Sequence, residues 1–256
     1  MAALITGASS GIGLELARIL AARKHDLVLA ARGEAKLRLL ASEAERHGVR
    51  TRVITADLSV AGAAASLVER ATADGWPIDI LVNNAGYGLY GKFVETRLDV
   101  ELAMIQLNIV ALTELTKRLL PAMVSRRSGR ILNVASTAAF FPGPLMAVYY
   151  ATKAYVLSFS EAIGDELAGT GVTVTALCPG PTESGFQAAA RLEESKLVAG
   201  KRLPTAREVA QAGYDAMMAG KPIEVVGISN KLTVQLPRFF PRAVMRRVVR
   251  GAQERR

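Results

Sequence analysis

The stretch Thr6-Gly7-Ala8-Ser9-Ser10-Gly11-Ile12-Gly13 decides the fold, because it joins an apolar run at the start of the chain to a helical pattern. The first glycine permits a tight turn, the second lets the backbone approach a pyrophosphate, and the third lets helix and strand pack closely. The helix N-terminus offers free N–H groups and partial positive charge to phosphates. The spacing is GxxxGxG rather than the general GxGxxG, but its place after a first strand favours dinucleotide binding over a plain tight loop.

Short apolar runs alternate with longer helical patterns along the rest of the chain. Apolar runs of this kind between helices are typical of a parallel sheet covered on both sides, and right-handed crossovers make such a sheet doubly wound. We therefore predict an α/β fold with a single Rossmann-like doubly wound parallel sheet of about seven strands. The predicted strands are Ala2–Thr6, Asp26–Ala31, Arg50–Ala56, Ile78–Val82, Gly129–Ala135, Val172–Leu177 and Ile223–Val226. The predicted helices are Ile12–Arg23, Glu34–His47, Ala61–Thr72, Asp99–Arg126, Leu145–Gly169 and Arg207–Ala219.

No linker rich in Pro, Gly or Ser divides the chain. We expect a dinucleotide-binding and catalytic domain over residues 1–229 and a basic amphipathic C-terminal extension over residues 230–256. The stretch from Pro181 to Pro204 is the least regular part. Because it follows a strand, it is a candidate mobile lid.

The composition is that of a globular protein. The chain has 256 residues, of which 50% are hydrophobic and 21% charged, and this balance excludes bulk disorder. The single cysteine, Cys178, excludes a disulfide framework and fits a reducing, cytoplasmic setting. We expect no targeting signal, since the sequence opens directly on a strand, and no apolar run is long enough for a membrane span.

The formal net charge of +9 is unevenly distributed. Residues 238–256 carry seven Arg and one Glu, whereas the other 237 residues carry 25 basic and 22 acidic side chains. The basic excess therefore belongs mainly to the tail, and the body is nearly balanced.

Two further motifs accompany the glycine turn. Asn83-Asn84-Ala85-Gly86 follows the fourth predicted strand, and Ser136 precedes Tyr149-x-x-x-Lys153 by thirteen residues. In order and separation, the three motifs resemble the short-chain dehydrogenase/reductase family from residue 2 to about residue 226. The resemblance implies an oxidoreductase that transfers a hydride between a nicotinamide cofactor and a carbonyl/alcohol substrate, and it implies a homo-oligomer, either dimer or tetramer.

The end of the second strand predicts which dinucleotide binds. An acidic residue there bonds the ribose 2′-OH of NAD, whereas an Arg accommodates the 2′-phosphate of NADP. Here the strand ends in Ala30-Ala31-Arg32, so the acid is missing and a guanidinium follows. Because an Arg fork donates paired hydrogen bonds and stays charged, we expect NADP(H), with Arg32 on the 2′-phosphate rather than free in solvent.

The resemblance assigns further cofactor contacts. Asp57, which Leu58 follows, would contact the adenine. The alternative role for Asp57 is the N-cap of the next helix, but Ser59 can serve as that cap instead. The segment Asn84-Ala85-Gly86 would border the adenosine ribose. The segment Pro179-Gly180-Pro181-Thr182-Glu183-Ser184 resembles the PGxVxT segment that holds the nicotinamide carboxamide in the family, with Thr182 in place of Val and Ser184 in place of Thr.

Tyr149 and Lys153 are four residues apart on a predicted helix, so they lie on one face a turn apart. A phenol has a pKa of about 10, and a nearby ammonium lowers it toward the range where proton exchange is effective. We expect Tyr149 to act as general acid in carbonyl reduction and general base in alcohol oxidation. Tyr150 has no Lys four residues later, and we interpret it as structural.

The resemblance adds three roles to this pair. Lys153 would also reach the nicotinamide ribose. The hydroxyl of Ser136 would bond the substrate oxygen and stabilise alkoxide character, a role that Thr137 fits less well in register. Asn108 would hold a helix irregularity and a water that relays protons to the lysine.

The remaining reactive side chains are expected to be structural. Cys178 should pack as a small buried hydrophobe, and His25 and His47 should lie at the surface. No His/Cys cluster has metal-ligand spacing, so we expect no metal.

Residues beyond the carboxyl edge of the sheet should line the substrate pocket. Their aromatic and apolar character suggests an apolar carbonyl or alcohol, although most ligand pockets are largely apolar. The expected lining is Tyr87, Leu89, Tyr90, Phe140, Phe141, Leu145, Met146 and Phe186.

The tail carries two stripes at helical spacing. One is Phe240, Val244 and Val248, and the other is Arg242, Arg246 and Arg250. Such a helix either packs on the body or a partner subunit, which we favour, or lies on an anionic membrane. Nucleic acid is not expected, since no recognition motif accompanies the charge. A non-catalytic dinucleotide-binding sensor or scaffold stays open as the alternative function.

Overall fold

A single sheet of seven parallel strands forms the centre of the computed structural model, which describes residues 1–183 and 203–254. The strand order is β3-β2-β1-β4-β5-β6-β7, so the chain returns to the middle after β3 and then continues outward on the other side. The predicted α/β, doubly wound sheet is confirmed. The strands are β1 (Ala2–Thr6), β2 (Asp26–Ala31), β3 (Thr51–Thr55), β4 (Ile80–Asn83), β5 (Gly129–Val134), β6 (Val172–Cys178) and β7 (Ile223–Val225).

Helices connect these strands. Among the described residues they are α1 (Gly11–Ala22), α2 (Glu34–Glu45), α3 (Ala63–Thr72), α4 (Leu98–Ile105), α5 (Leu112–Ser125), α6 (Ala147–Glu166), α7 (Ala206–Met218), α8 (Ile228–Thr233), α9 (Leu236–Phe239) and α10 (Arg242–Gln253). The ends of the predicted elements differ from these by up to three residues, apart from the helix predicted over Asp99–Arg126.

Two hydrophobic cores enclose the sheet. All five residues of β1 are buried, and they alternate between the cores: Ile5 belongs to the core with α1, α2 and α7, and Leu4 to the core with α3 and α5. Full burial of such a side chain stabilises the fold by about 1.5–3 kcal/mol. Because every strand pairs in parallel, the carboxyl ends of all seven meet at one edge, where the candidate site lies.

The predicted helix over Asp99–Arg126 is not continuous. Residues Gln106–Ala111 form a π-helical turn between α4 and α5. A π turn adds one residue to the helical repeat and usually marks a functional position. It contains the buried Asn108, so the irregularity that the family resemblance implied is present.

Two local expectations are wrong. His25 is buried rather than exposed, and burial lowers the pKa of its imidazole, because it lies where the end of α1 folds back onto the start of β2. Ser59 does not cap α3, which begins at Ala63 after Gly62 in a left-handed conformation. Instead, both the N–H and the hydroxyl of Ser59 donate to Asp57 in the loop after β3.

The C-terminal helix α10 packs on the body, but not through the predicted stripe. Its buried residues are Met245 and Gln253, whereas Phe240, Val244 and Val248 are exposed. Division of the chain near residue 229 stays a prediction. No helix in residues 1–183 and 203–254 has both the length and the apolar character that crossing a bilayer requires.

Candidate active site

A cavity of about 990 Å³ opens at the carboxyl edge of the sheet. It brings together nearly all the residues that the sequence proposed for cofactor binding and catalysis. Gly13 and Asn108 support the cavity without lining it, and Ser184 lies outside the described residues. The proposed residues that do line it are Gly7, Ser9, Ser10, Gly11, Ile12, Arg32, Asp57, Leu58, Asn84, Ala85, Gly86, Ser136, Tyr149, Lys153, Pro179, Gly180 and Thr182.

The glycine turn has the shape that a pyrophosphate needs. Gly7 and Gly11 have φ angles of 66° and 56°, which favour glycine. A Cβ at Gly13 would lie 2.5 Å from the carbonyl oxygen of Gly7, so the third glycine permits close packing of α1 on the turn. Ser10 precedes α1 and makes no side-chain cap, which leaves the first N–H groups of the helix to an anion in the cavity.

Asn84 braces this turn from the neighbouring strand. Its side-chain amide donates to the carbonyl oxygens of Thr6 and Gly7, at 2.9 and 3.3 Å. The hydroxyl of Thr6 in turn accepts from the backbone N–H groups of Asn84 and Ala85. These bonds hold the ends of β1 and β4 together, so the two loops share one rigid wall.

The far end of the cavity carries a cluster of charges. Arg32 and Lys36, four residues on at the start of α2, both line it. Glu34 lies between them in sequence, but its carboxylate accepts from Arg38 at 2.6 Å. The pKa of Asp57 is lowered, first by the hydrogen bonds from Ser59 and also by the charge of Arg32. Lys36 was missed by the sequence analysis, and its position one helical turn after Arg32 was the available signal.

Ser136, Tyr149 and Lys153 meet at the middle of the cavity. The hydroxyl of Tyr149 is hydrogen-bonded to Ser136, which follows β5, and Tyr149 and Lys153 lie on α6. The ammonium group of Lys153 donates to the carbonyl oxygen of Val134 at 2.7 Å and lies 5.8 Å from the centre of the Tyr149 ring. Three groups from two elements thus face the same space.

The protonation of this pair differs from the expectation. Burial raises the pKa of Tyr149 well above its usual value, and the hydrogen bond with Ser136 offsets that rise only in part. Burial also lowers the pKa of Lys153 to about 8. The expected lowering of the tyrosine pKa is therefore wrong for this structure, because desolvation of the buried phenol is the largest effect on its pKa.

Asn108 connects the π turn to α6 and to the loop after β4. Its side-chain nitrogen donates to the hydroxyl of Thr152 and to the carbonyl oxygen of Tyr87, both at 3.1 Å. Its side-chain oxygen accepts from the N–H of Tyr87 at 3.3 Å. Asn108 therefore fixes the helix turn between Tyr149 and Lys153 from behind.

A second buried amide network was missed by the sequence analysis. Asn83 donates to Thr116 and to Asn133, and Asn133 donates to Ser160, at 2.9–3.0 Å. These bonds join β4, β5, α5 and α6 directly beneath the site. An Asn inside an otherwise apolar predicted strand, as at Asn133, was the available signal.

The loop after β6 approaches α8 closely. A Cβ at Gly180 would lie 2.5 Å from the side-chain nitrogen of Asn230, so only glycine fits there. The hydroxyl of Thr182 donates to the carbonyl oxygen of Gly180, and Thr182 is buried at the cavity wall. The candidate lid falls mostly on residues 184–202, which lie outside the described residues, as does Phe186.

The substrate end of the cavity differs from the expected lining. Tyr87, Phe141 and Met146 line it, whereas Leu89 and Tyr90 pack in the surrounding cluster. Phe140 packs in a different cluster, against residues of β6 and α6, and Leu145 does not line the cavity. The C-terminal segment supplies further wall residues that the sequence analysis missed: Leu236, Met245, Val248, Val249 and Gln253.

Tyr150 also lines this end, and it anchors α10. Its hydroxyl accepts from the side-chain nitrogen of Gln253 at 2.6 Å, and its ring fills the space beside Gly143. The hydroxyl of Tyr90 donates to the backbone carbonyl of Gln253 at 3.1 Å. The expectation that Tyr150 is structural agrees with these contacts.

The fold and the site together define an oxidoreductase that binds a nicotinamide dinucleotide at the carboxyl edge of a doubly wound sheet. Residues 1–195 match the family described as short chain dehydrogenase. The chain belongs to the short-chain dehydrogenase/reductase family.

Known relatives agree with this assignment. The chain is 34% identical over 238 residues to the ketoacyl reductase HetN of Nostoc sp., covering 93% of this chain and 82% of that protein. It is 37% identical over 177 residues to a very-long-chain 3-oxoacyl-CoA reductase of Phaeosphaeria nodorum, covering 67% of this chain but only 52% of that protein. A short-chain dehydrogenase from Sphingobium yanoikuyae, solved in complex with NADPH, superposes with a TM-score of 0.82 at 31% identity and 93% coverage of both chains.

Proposed function

We propose that the protein is an NADP(H)-dependent reductase of apolar carbonyl compounds. The observation that carries the proposal is that Ser136, Tyr149 and Lys153 face the cavity that also contains the glycine turn and Arg32. The bound nicotinamide would supply the hydride, and the chain would supply geometry and protons. The glycine turn, Asp57, the segment Asn84–Gly86 and the segment Pro179–Thr182 are the proposed contacts for the dinucleotide.

The proposed direction is reduction, in which Tyr149 acts as the general acid. A raised pKa keeps the hydroxyl of Tyr149 protonated near neutral pH, which is the form that a general acid needs. In the proposed mechanism, Tyr149 donates its proton to the substrate oxygen while Ser136 hydrogen-bonds that oxygen and stabilises its developing charge. Lys153, in its protonated form, then favours the phenolate that remains.

The proposed preference for NADP(H) is supported by the charge at the end of β2. Arg32 and Lys36 offer two cations, and the nearby carboxylate of Glu34 is paired with Arg38. A 2′-phosphate would match this arrangement better than a neutral hydroxyl.

The proposed substrate is apolar because the C-terminal helices add Leu236, Met245 and Val249 to the aromatic wall. Relatives named for reduction of ketoacyl and long-chain 3-oxoacyl groups support a carbonyl carried on an acyl chain. A panel of ketones and aldehydes of increasing chain length, with NADPH oxidation followed by absorbance, would test this. Selective turnover of small charged carbonyls would overturn it.

The decisive experiment for the function is the substitution Tyr149→Phe. We expect turnover to fall by about a hundred- to ten-thousand-fold, because the general acid is lost, while NADPH binding measured by fluorescence is retained. Tyr155→Phe, on the same helix but hydrogen-bonded to Thr113, is the matched control and should leave turnover unchanged. Turnover that survives in Tyr149→Phe would contradict the assignment of the general acid. Absence of turnover by the wild type with every ketone and aldehyde of the panel would favour the alternative, a non-catalytic sensor or scaffold.

We also propose a homo-oligomer formed through the outer faces of α4, the π turn and α6. Leu98, Leu102 and Val110 are exposed there, and Tyr155 stacks on Phe159 beside them. Exposed apolar side chains on adjoining helices are typical of subunit interfaces.

A further inference from the structure

The segment of residues 228–248 exposes an unusual amount of apolar surface. We name the following six side chains, taken together, the C-terminal apolar face. They are Ile228, Leu232, Phe239, Phe240, Val244 and Val248, with exposed fractions of 80, 68, 77, 48, 39 and 54%. Nine other large apolar side chains of the described residues are exposed, and four of these, Leu98, Leu102, Val110 and Tyr155, belong to the proposed subunit interface. A concentration of this kind indicates an interaction surface rather than ordinary surface composition.

Residues 238–250, which overlap this segment, carry five exposed arginines. They are Arg238, Arg242, Arg246, Arg247 and Arg250. Within the part of the chain that the structure describes, only Arg250 has a carboxylate within 4 Å, that of Glu254 at 3.9 Å. The positive charge next to the C-terminal apolar face is therefore available to an anionic partner.

This face is not needed to hold α10 on the body. The helix is anchored by its other side, where Met245 is buried and the amide of Gln253 donates to the hydroxyl of Tyr150. An amphipathic helix usually buries its apolar stripe, but here Val244 and Val248, one turn apart, remain in solvent. The helix thus has one set of residues for the body and another for a second surface.

The rim of the cavity lies beside this face. Val248 and Thr233 both line the cavity, and both are exposed. An apolar molecule that leaves a second surface here would pass directly into the end of the cavity that α8 and α10 enclose.

We propose that the C-terminal apolar face docks on an anionic lipid surface and presents the cavity opening to it. Phenylalanine and valine side chains would enter the headgroup boundary, while the arginines attract anionic headgroups. An anionic lipid surface accommodates both the arginines and Phe239 and Phe240, because its charged headgroups lie directly above an apolar layer. The supply of an apolar carbonyl from the lipid rests on the proposed function, but the docking itself does not.

The test is binding of the full chain to lipid vesicles, measured by co-sedimentation and without any enzymatic reaction. We expect the protein to sediment with vesicles of phosphatidylcholine and phosphatidylglycerol, to bind pure phosphatidylcholine weakly, and to be released by salt. Phe239→Ser with Phe240→Ser should abolish binding, whereas Phe93→Ser, at a Phe that is 65% exposed elsewhere, should not change it. Arg247→Glu should weaken binding by at least about fivefold, and Arg46→Glu, at another exposed arginine, should have a much smaller effect.

Three results would overturn the proposal. The first is an absence of binding to anionic vesicles. The second is equal weakening by Arg46→Glu and Arg247→Glu, which would indicate general charge attraction without a docking face. The third is dissociation of a homo-oligomer by the double Phe substitution in light scattering, which would show that a second copy covers the face. Because NADPH-dependent turnover is measured separately with a water-soluble ketone, failure of docking and failure of the proposed reductase activity are distinguishable.

Discussion

Arg32 lies at the end of β2, where the cavity is lined by a second cation, Lys36. If Arg32 contacts a 2′-phosphate, removal of its charged hydrogen bonds costs about 1.5–3 kcal/mol, or roughly ten- to a hundredfold in affinity. We expect Arg32→Ala to weaken NADPH by that factor and to leave NADH unchanged, as measured by fluorescence titration of both. Arg46→Ala is the matched control, since that exposed arginine does not line the cavity. Equal affinities of the wild type for NADPH and NADH would contradict the assignment.

Lys153 is buried, and its pKa of about 8 in the folded protein lies below the reference value of 10.5 for an unfolded chain. Between these two pH values the unfolded state binds more protons, so the free energy of unfolding rises with pH. Below pH 8 the full cost of burying the charge is present. The shift corresponds to a rise of about 3 kcal/mol across the window.

Denaturant unfolding of the cofactor-free protein over this pH window, compared with Lys153→Met, would measure the effect. The difference in unfolding free energy between the two proteins should change with pH, because only the wild type contains the buried lysine. The other titrating groups, including Tyr149, are present in both proteins and cancel in the difference. Lys117→Met, at an exposed lysine, should run parallel to the wild type. Parallel curves for Lys153→Met as well would show that burial does not perturb this lysine.

At the scale of the elements, the amide network under the site holds two strands and two helices together. Asn133 is fully buried and bonds both Asn83 and Ser160. Replacement by leucine, of similar size, leaves polar groups without partners, and we expect Asn133→Leu to lower the unfolding free energy by about 1–3 kcal/mol. Ser160→Ala should cost less. The double variant should cost less than the sum of the two, because the residues share a bond; additive costs would argue against the network.

The π turn and α10 show what an element-level prediction can and cannot reach. Hydrophobic periodicity predicts that a helix spans Asp99–Arg126, but it does not carry the extra residue of a π turn, which depends on the tertiary bonds of Asn108. For α10 the sequence predicts that the stripe of Phe240, Val244 and Val248 packs on the body, but in the structure this stripe is exposed. The buried side is decided by a polar contact between Gln253 and Tyr150, residues 103 positions apart in sequence.

At the scale of the whole molecule, assembly makes a separate prediction. If α4, the π turn and α6 form the subunit interface, a charged side chain at Val110 should disrupt it, because burial of an unpaired charge in the interface carries a large desolvation cost. We expect Val110→Glu to convert the oligomer to monomer in light scattering with little change in secondary structure. Val60→Glu, at an exposed valine before α3, should not. An unchanged mass for Val110→Glu would direct attention to another face.

The parallel sheet, the bounds of its strands and most of the dinucleotide cavity follow from sequence because they depend on local signals: apolar runs, glycines at turns and residues that follow strands. The substrate end does not, because its wall is completed by α8–α10, whose positions depend on contacts between distant residues. The protonation of Tyr149 and Lys153 also escapes sequence, since spacing reveals their proximity but not their burial.

Two separate parts of the chain form the cavity wall, and this division bears on how the substrate range of the protein evolves. Loops at the carboxyl ends of β1, β2, β3, β4 and β6 form the part proposed for the dinucleotide, and residues 230–253 complete the other end. The family match ends at residue 195, before that second part begins. Exchange of the last helices would therefore alter one wall of the substrate end, while the residues proposed to manage the hydride and the proton stay untouched.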